Sequence, residues 1–314
     1  MAQGSDFSSP MAHQGKPAPQ KAPGTSGKAI ASLILGFLSI VGMCLTGIPG
    51  LILGIMGLSD IGKSGGRTTG KGIAIGGIVL SSLGIAWTVI AILIGMLLPA
   101  VQQVRGAARQ VVAQNNVRQQ LLGMLNYESA NQRFPPQEQN GLSWRVYILP
   151  YLGHEQLFDQ FKLDQPWDSP HNIALLPQMP EIYACPDAPE LPAGFTIYQV
   201  PYSDVQSGAD NINMALFDNS GRKIRLTSVQ DGLSKTIAIV EVNPSAAVEW
   251  TKPADWKYDS SDLSHDLGDL RARGIVVGMG DASTAILPSD ISPADLEALI
   301  TRNGGEEISP FVLK

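Results

Sequence analysis

The sequence predicts an α+β protein in which N-terminal transmembrane helices lead into a long amphipathic helix packed on a mainly antiparallel sheet. Three observations support this class. Two runs, Ala29–Leu58 and Gly72–Val101, contain no charged residue. The residues after Pro99 repeat apolar positions at helical spacing. The second half of the chain contains short β-rich runs that are separated by turn residues.

Composition and charge narrow the class further. Of 314 residues, 44% are hydrophobic and 16% are charged, which is too apolar for an intrinsically disordered chain, and two cysteines are too few for a disulfide scaffold. Residues 1–133 hold ten basic and three acidic residues, whereas residues 134–314 hold twelve and twenty-five. This asymmetry predicts a membrane anchor followed by an acidic soluble domain, whose field would repel nucleic acid.

The chain is expected to divide into three parts. Residues 1–28 are rich in Pro, Gly, Ser, Ala and Gln and predict a disordered tail. Residues 29–98 predict a two-span membrane domain, because each uncharged run exceeds the ~20 residues that cross a bilayer; the alternative is a pair of buried core helices. Residues 99–314 predict the soluble domain, with a helix over 99–130 and a globular α+β part over 134–314. The lipid bilayer is therefore an expected partner.

The first uncharged run is interrupted at Thr46–Gly50, where a proline lies between two glycines. Both residue types weaken a helix, so the run is either one kinked span or a tight helical hairpin. Glycines in both runs would allow helices to pack closely. A weak internal repeat relates Gly27–Ala31 to Gly70–Ala74.

The loop between the two runs sets the expected orientation. Lys63, Arg67 and Lys71 outnumber Asp60 there, so the positive-inside rule makes the loop cytoplasmic and the residues after about Pro99 extracytoplasmic. The segment Gly57–Ser64 matches the phosphate-loop pattern G-x-x-x-x-G-K-[ST]. It follows a membrane run and opens no helix, so no bound nucleotide is expected.

The helix that follows Pro99 is expected to carry one apolar stripe that packs on the sheet of the soluble domain; a coiled-coil stalk is the alternative. The stripe comprises Val101, Val104, Ala108, Val111, Val112, Leu121, Leu122 and Leu125. Helical turns are expected at Ser143–Leu152 and Glu155–Phe161, and a helix capped by Ser292 at Pro293–Thr301. The expected strands are Thr196–Val200, Asn213–Phe217, Lys223–Leu226, Thr236–Val242, Gly274–Gly278 and Thr284–Leu287, the last two forming a hairpin that turns at Met279–Asp281.

No known catalytic motif occurs, and no catalytic or cofactor-binding residue is expected. Adjacent pairs such as His154-Glu155 are solvated polar residues or, less favourably, zinc ligands. Cys185 reads as a small buried hydrophobe rather than a nucleophile, because no base pairs with it in sequence. The acidic loops suit calcium, which binds carboxylate and carbonyl oxygens. The alternative is that these loops are ordinary solvent-exposed surface without a bound ion. These loops are Asp204–Asp210, Asp218–Gly221 and Asp255–Asp269.

Four tryptophans lie beside Pro, Arg, Lys or Asp in expected loops. They are Trp144, Trp167, Trp250 and Trp256. Such rings cap sheet ends and donate their N–H to a nearby carbonyl, whereas the alternative is a carbohydrate or peptide groove.

Ordered motifs from Leu97 onward resemble the bacterial prepilin-like family called domain of unknown function 1559. The matching segments include Leu97–Arg109, Gly141–Val146, Pro166–Pro170, Asp231–Ile237 and Thr301–Glu306. The motif residues that we single out are Pro99, Trp144, Arg145, Pro150, Trp167, Asp168, Cys185, Asp231, Gly232, Trp250, Asp281, Gly304, Gly305 and Glu306. The resemblance implies a pseudopilin-like fold. Residues 29–89 resemble a second family, domain of unknown function 4190, which is a small two-span membrane unit.

The departures from the family pattern matter for processing. Members of the prepilin-like family carry a Gly-Phe cleavage point followed by a Glu, and an H-x9-DG signature near the end. In this chain Ile78 follows Gly77 at the cleavage point, where the family has Phe, and Ser82 occupies the position of the Glu. Arg271 occupies the position of the signature His, and Asp281-Ala282 occupies the position of its Asp-Gly. The chain is therefore expected to keep its anchor rather than be cleaved.

Together these features predict a membrane-anchored, pseudopilin-like protein of a bacterial envelope, which is non-catalytic and acts in assembly or surface display. The resemblance implies the inner membrane, with residues 134–314 in the periplasm, and self-association or a pilus- or secretion-type assembly as partnership. The alternative is an extracytoplasmic module that binds calcium, a glycan or a protein partner. An enzyme is supported by no group of residues.

Overall fold

The computed structural model describes residues 24–203 without residue 43, residues 214–218, 223–257 and 274–305, and residues 259, 262, 265–268, 270 and 271. The chain divides into two compact units, Met1–Val101 and Gln102–Lys314. The first contains β1 (Gly24–Thr25), α1 (Gly27–Gly42), α2 (Cys44–Lys63), β2 (Thr68–Thr69) and the start of α3 (Lys71–Asn131). Residues 1–23 of the expected disordered tail lie outside the described residues.

Helices α1 and α2 form a hairpin, which decides between the two alternatives for the first uncharged run. The Ser32 hydroxyl on α1 donates to the Gly50 carbonyl on α2 at 2.9 Å. A Cβ at Gly54 would lie 2.7 Å from Ser32 Oγ, and a Cβ at Gly57 would lie 3.2 Å from the Ala29 nitrogen. Later residues of α2 therefore meet earlier residues of α1, and the glycines let the two backbones approach as small residues do between membrane helices.

Helix α3 runs parallel to α1 within this unit. Strands β1 and β2 pair in parallel, Gly24 with Thr68 and Thr25 with Thr69, immediately before the two helices begin. A Cβ at Gly36 would lie 2.9 Å from the Gly77 carbonyl oxygen, so the two helices also pack through glycine. The weak sequence repeat thus corresponds to two strand–helix segments that lie side by side.

The position of Gly77 leads to a prediction about processing. Gly77 lies inside α3, and a Cβ at Gly77 would collide with Ser32 of α1. Cleavage after Gly77 would cut through packed helix, so we expect the membrane-bound chain to stay uncut there. Mass spectrometry of membrane fractions should find a peptide that spans Gly77–Ile78, and a mature chain that begins at Ile78 would contradict the expectation.

The second unit is an α+β fold, as predicted. Four strands form its main antiparallel sheet, in the order Thr284–Leu287, Ile275–Met279, Ile237–Glu241, Tyr198–Gln199. Its helices besides α3 are α4 (Trp144–Tyr147), α5 (Glu155–Phe158) and α6 (Pro293–Ile300). Its strands are β3 (Glu138–Gln139), β4 (Leu142–Ser143), β5 (Phe195–Thr196), β6 (Tyr198–Gln199), β7 (Tyr202–Ser203), β8 (Phe217–Asp218), β9 (Ile237–Glu241), β10 (Val248–Glu249), β11 (Ile275–Met279) and β12 (Thr284–Leu287). Strands β3–β4 and β5–β10 pair antiparallel, and β7–β8 pair in parallel.

Helix α3 packs on the sheet at a glycine. A Cβ at Gly278 of β11 would collide with the side chains of Val117 and Leu121. Both side chains belong to the core, together with Ala113 and Met124 of the same helix. The absence of a side chain at residue 278 therefore lets the helix approach the strand closely.

The face that α3 buries differs from the predicted stripe. Of the stripe residues, Leu121 is buried and Leu125 is half-buried, but Val104 is 69% exposed and Val111 is 63% exposed. The buried face includes polar Gln120, whose Nε2 donates to the Ile182 carbonyl at 2.8 Å. Hydropathy cannot identify a buried helix face when some of its residues are polar and form hydrogen bonds with another segment of the chain.

Signals within short segments located most of the other elements correctly. The Ser292 hydroxyl caps α6 by accepting from the Asp295 amide at 3.1 Å, and β11 and β12 form the predicted hairpin. The strand expected at Lys223–Leu226 is wrong, because residues 223–225 have no regular structure and Leu226–Ser228 form a 3-10 turn. Asn213, where another strand was expected to begin, lies outside the described residues.

Candidate functional site

The Trp144-Arg145 motif forms a buried ion pair with Asp255. The Arg145 Nη2 donates to Asp255 Oδ1 at 2.7 Å, and both side chains are fully buried. Arg145 also donates to the Tyr198 carbonyl, through Nη2 at 2.6 Å and Nε at 3.2 Å. The motif begins α4 directly after the capping residue Ser143, whose hydroxyl accepts from Arg145 Nη1 at 2.9 Å. Every nitrogen of the guanidinium therefore has a partner.

The Asp255 carboxylate also accepts hydrogen bonds from three other groups. The Trp144 indole N–H donates to Oδ1 at 3.1 Å, as does the Val200 amide at 3.1 Å, and Gln137 Nε2 donates to Oδ2 at 3.2 Å. Burial raises the pKa of Asp255, against the lowering by Arg145 and by these hydrogen bonds. The sequence placed Asp255 in an acidic loop suited to calcium, whereas in the structure its carboxylate forms an ion pair with Arg145.

The tryptophans are mostly architectural. Trp144, Trp250 and Trp256 are buried, and the indoles of Trp250 and Trp256 donate to the carbonyls of Leu176 at 3.0 Å and His265 at 2.9 Å. The Trp250 ring stacks on Tyr183 with centroids 5.7 Å apart. Trp167 is half-buried beneath the Lys252 ammonium, 5.3 Å from its ring centroid. Three of these four rings are therefore not available as a surface for a sugar.

A second charged cluster surrounds Arg271, the residue that stands where the family signature has its His. Arg271 Nε pairs with Asp187 Oδ2 at 2.5 Å, and its two Nη groups pair with the carboxylate of Glu241. Glu241 Oε2 also accepts from the Val276 amide at 2.8 Å. Burial lowers the pKa of Arg271, but the hydrogen bonds and charges of Glu241 and Asp187 outweigh it and raise the pKa overall. The guanidinium is thus a fixed cation.

Cys185 lies in the same cluster. Its Sγ is 3.7 Å from Glu241 Oε1 and 3.9 Å from Arg271 Nη2. Burial first, and the Glu241 charge second, raise the pKa of the thiol to about 11, although Asp187, Arg271 and Tyr198 act in the opposite direction. The thiolate is the reactive form of cysteine, so this arrangement suppresses the reactivity of Cys185.

We expect the Cys185 thiol to resist alkylation while the chain is folded. With a pKa of about 11, about one thiol in a thousand is ionised at pH 8. A C44S variant of the full chain in detergent should react with an aromatic disulfide reagent at pH 8 only slowly, and promptly once guanidinium is added. Because the folded pKa is raised, the native rate should climb steadily above pH 8. A prompt native reaction at pH 8 would show that the thiol is activated.

The remaining motif residues hold turns and chain crossings. The Asp231 carboxylate accepts from the amides of Gly304 at 2.8 Å and Gly305 at 2.9 Å, which brings three motif residues into one contact. Gly232 has φ +96°, which suits glycine. Asp281 Oδ1 accepts from the Ser283 amide at 2.9 Å and thereby holds the β11–β12 turn.

Four further motif residues lie outside these contacts. Pro99 lies within α3, Pro150 lies in the 3-10 turn Leu149–Leu152, and Asp168 is exposed. Glu306 lies outside the described residues.

Among the residues that the structure describes, no three His, Cys, Asp or Glu side chains gather as a metal site would require. Residues 204–210 and 219–221 of the acidic loops fall outside that set, as do residues 258, 260, 261, 263, 264 and 269 of the third loop. The phosphate-loop pattern at Gly57–Lys63 forms the last turns of α2. A helix C-terminus presents carbonyl oxygens rather than amides, so this end lacks the backbone N–H groups that hold phosphate in a phosphate loop.

Sequence reasoning found Trp144, Arg145, Cys185 and Arg271 but missed their partners. Asp187, Glu241 and Asp255 each meet an arginine that is 30 to 110 residues away in the chain. One signal was available for Glu241, because a carboxylate inside the apolar strand Ile237–Glu241 needs a buried partner. No feature of the neighbouring sequence indicated that Asp187 or Asp255 would pair with an arginine.

Comparisons with known proteins agree with this picture. A family described as a protein of unknown function (DUF1559) matches residues 102–286, and a domain of unknown function (DUF4190) matches residues 28–91. No curated protein and no solved structure matches. Because the first match covers more than half of the chain and includes the Arg145 and Arg271 clusters, the chain belongs to the DUF1559 family and carries a DUF4190-like segment before it.

Proposed function

We propose that this protein is a non-catalytic, membrane-anchored component of a bacterial envelope that acts in assembly or surface display. The observation that carries the proposal is the apolar surface of the first unit. Helix α2 over Leu45–Lys63 and helix α3 are long and apolar enough to cross a membrane. Their outer surfaces bear exposed side chains such as Leu45, Trp87 and Met96. An apolar surface of this extent is costly in water and suits lipid.

The packing of α1 and α3 supports one orientation of this anchor in the membrane. Because these helices run parallel from the β1–β2 pair, Lys28 and Lys71 begin them at the same end of the unit. Lys63 and Arg67 belong to the segment that joins α2 to β2 at that end, and Lys28 pairs there with Asp60 at 2.7 Å. A basic end of this kind faces the cytoplasm, and α3 then carries the chain across. Residues 134–314 would thus lie in the periplasm, with the inner membrane as anchor.

The buried charges of the second unit support a structural role. Arg145 and Arg271 each form ion pairs with carboxylates, and the pKa of the Cys185 thiol is raised. A catalytic group has to reach its substrate in a reactive protonation state, and these groups are instead enclosed and paired. The proposal therefore includes no cofactor, nucleotide or nucleic acid. The pseudopilin-like character and self-association in a pilus- or secretion-type assembly rest on the sequence motifs and on the continuous helix α3.

Cysteine labelling in a bacterial host tests the orientation. In a full-length C44S/C185S background, R67C should react with a membrane-impermeant maleimide only after the membrane is opened, because this loop is expected in the cytoplasm. Q156C, an exposed position on α5 in the second unit, should react in intact spheroplasts. The reverse pattern would contradict the orientation, and reaction of neither site in spheroplasts would contradict a periplasmic domain.

A further inference from the structure

The exposed apolar side chains of the second unit gather on helix α3. Within the described part of this unit, large apolar residues are exposed at five positions. Four of them, Val104, Val111, Val112 and Leu122, lie on α3, and the fifth is Ile173. An exposed apolar patch that is confined to one element is typical of a surface that another molecule covers.

Neither the sheet nor lipid covers this part of α3. Ala113 and Val117 belong to the core, and each lies two positions from an exposed residue, Val111 or Asn115. Two positions correspond to about 200° around an α-helix, so the exposed side chains point away from the sheet. The uncharged run ends at Val101, and Val111 lies ten residues further on, about 15 Å along the helix and beyond the bilayer core.

The exposed residues have the spacing of a coiled coil. Val104, Ala108, Val111 and Asn115, which we call the α3 seam, follow one another at intervals of four, three and four residues, and all four are exposed. This order puts the two valines at position d and Ala108 and Asn115 at position a of successive heptads. A single asparagine at position a fixes the register and the number of strands in coiled coils. The α3 seam therefore suits a partner helix that presents an asparagine at the same level.

A second copy of this chain supplies such a helix. Two copies that are anchored by the same membrane helices present α3 in the same direction and at the same height, so that Val111 meets its counterpart and Asn115 meets its own. An asparagine amide both donates and accepts, and two of them can hydrogen-bond to each other. Confinement to one bilayer raises the effective concentration and removes part of the orientational cost, so a short seam suffices.

Arg118 sets the end of the α3 seam. It occupies the next position d, it is exposed, and in a parallel pair it would lie opposite its counterpart. Opposed like charges are unfavourable, so pairing should stop before this residue. The next position a is Leu122, which is 47% exposed. An apolar residue in place of Arg118 would therefore extend the seam to Leu122.

We propose that the α3 seam pairs with the α3 seam of a second copy of this chain, as a parallel, in-register, two-stranded coiled coil just outside the membrane. The pairing rests on the anchoring part of the proposed function, because the bilayer gives the two helices their common direction. It adds the partner and the residues in contact.

Disulfide crosslinking in membranes of a bacterial host tests the pairing. In the full-length C44S/C185S background, oxidation of V111C should give a dimer on a non-reducing gel. Q103C changes an exposed residue of the same helix on a face away from the seam. It should give at least about tenfold less dimer, because a disulfide needs Cα atoms within about 7 Å of each other.

Further substitutions separate pairing from chance collision and from misfolding. With A108C as the reporter, V111E should lower the yield of dimer, because it puts two carboxylates opposite each other. Q103E adds the same charge away from the seam and should leave the yield unchanged. R118L should raise the yield, whereas R118K keeps the charge and should not. A gain of dimer with R118L cannot result from a failure to fold.

Equal yields of dimer from V111C and Q103C would overturn the proposal, as would a crosslinked band whose mass differs from two copies, which would show a different protein on the seam. No gain with R118L would contradict pairing along this face. The labelling test of orientation remains separate. If R67C and Q156C label as expected and V111C gives no dimer, only the coiled coil fails, whereas a failed labelling pattern removes the anchor itself.

Discussion

Replacing Asp255 by asparagine is expected to lower the free energy of unfolding by about 3–5 kcal/mol, the usual cost of leaving a buried charge without its partner. Arg145 would keep its cation in a fully buried position with no carboxylate to balance it. The D255N side chain could still accept from Trp144 and Val200, so the loss would report mainly on the missing charge. Thermal unfolding of the full chain in detergent should show a midpoint about 10 °C lower.

A second variant and an exposed pair serve as controls. R145M/D255N removes both charges and should be less destabilised than the sum of the two single variants, because no lone charge remains. The pair Glu249–Lys252 is 3.4 Å apart and partly exposed, so E249Q should cost less than about 1 kcal/mol. If the free energy of unfolding of D255N lies within about 1 kcal/mol of the wild-type value, the buried pair contributes little to stability.

Replacing Trp250 by alanine is the second large effect that we expect, at about 3–5 kcal/mol. The ring is fully buried, stacks on Tyr183 and meets Phe161 edge-on at 5.7 Å. Its removal would leave a cavity and would also leave the Leu176 carbonyl without its donor. Chemical unfolding of the full chain in detergent should show a lower midpoint with little change in slope.

Trp167 provides the matched control for Trp250. It carries the same side chain but is half-buried and contacts Lys252 at its surface. W167A should therefore cost about 1–2 kcal/mol, since it removes less buried area. Equal losses for the two variants would contradict the interpretation that buried area sets the cost, and a larger loss for W167A would point to a role of Trp167 in a binding surface.

Much of the fold could be predicted because its signals are local. The uncharged run Gly72–Val101 identified the apolar part of α3 by length and hydropathy alone. Ser292 and Pro293 identified the start of α6, and the turn at Met279–Asp281 identified the β11–β12 hairpin. Each signal involves residues that lie within a few positions of one another, so no knowledge of distant packing was needed. The motif residues were found in the same way.

The charged cluster around Arg271 could not be predicted because its parts are far apart in sequence. Arg109 meets Asp187 across 78 residues, and Arg271 meets it across 84. Position 271 was visible in sequence only as a departure from the family pattern. The role of Arg271 depends on which carboxylates the fold places beside its guanidinium.

By itself, the sequence determined the apolar helices, their basic end, the α+β class and the buried aromatic residues. Only the tertiary structure decided that α1 and α2 form a hairpin, which face of α3 is buried, and which carboxylate pairs with which arginine. The physical reason is that hydropathy and helix or strand propensity act over one or two turns of chain. Ion pairing and close packing instead depend on distances between segments, which exist only once the chain has folded.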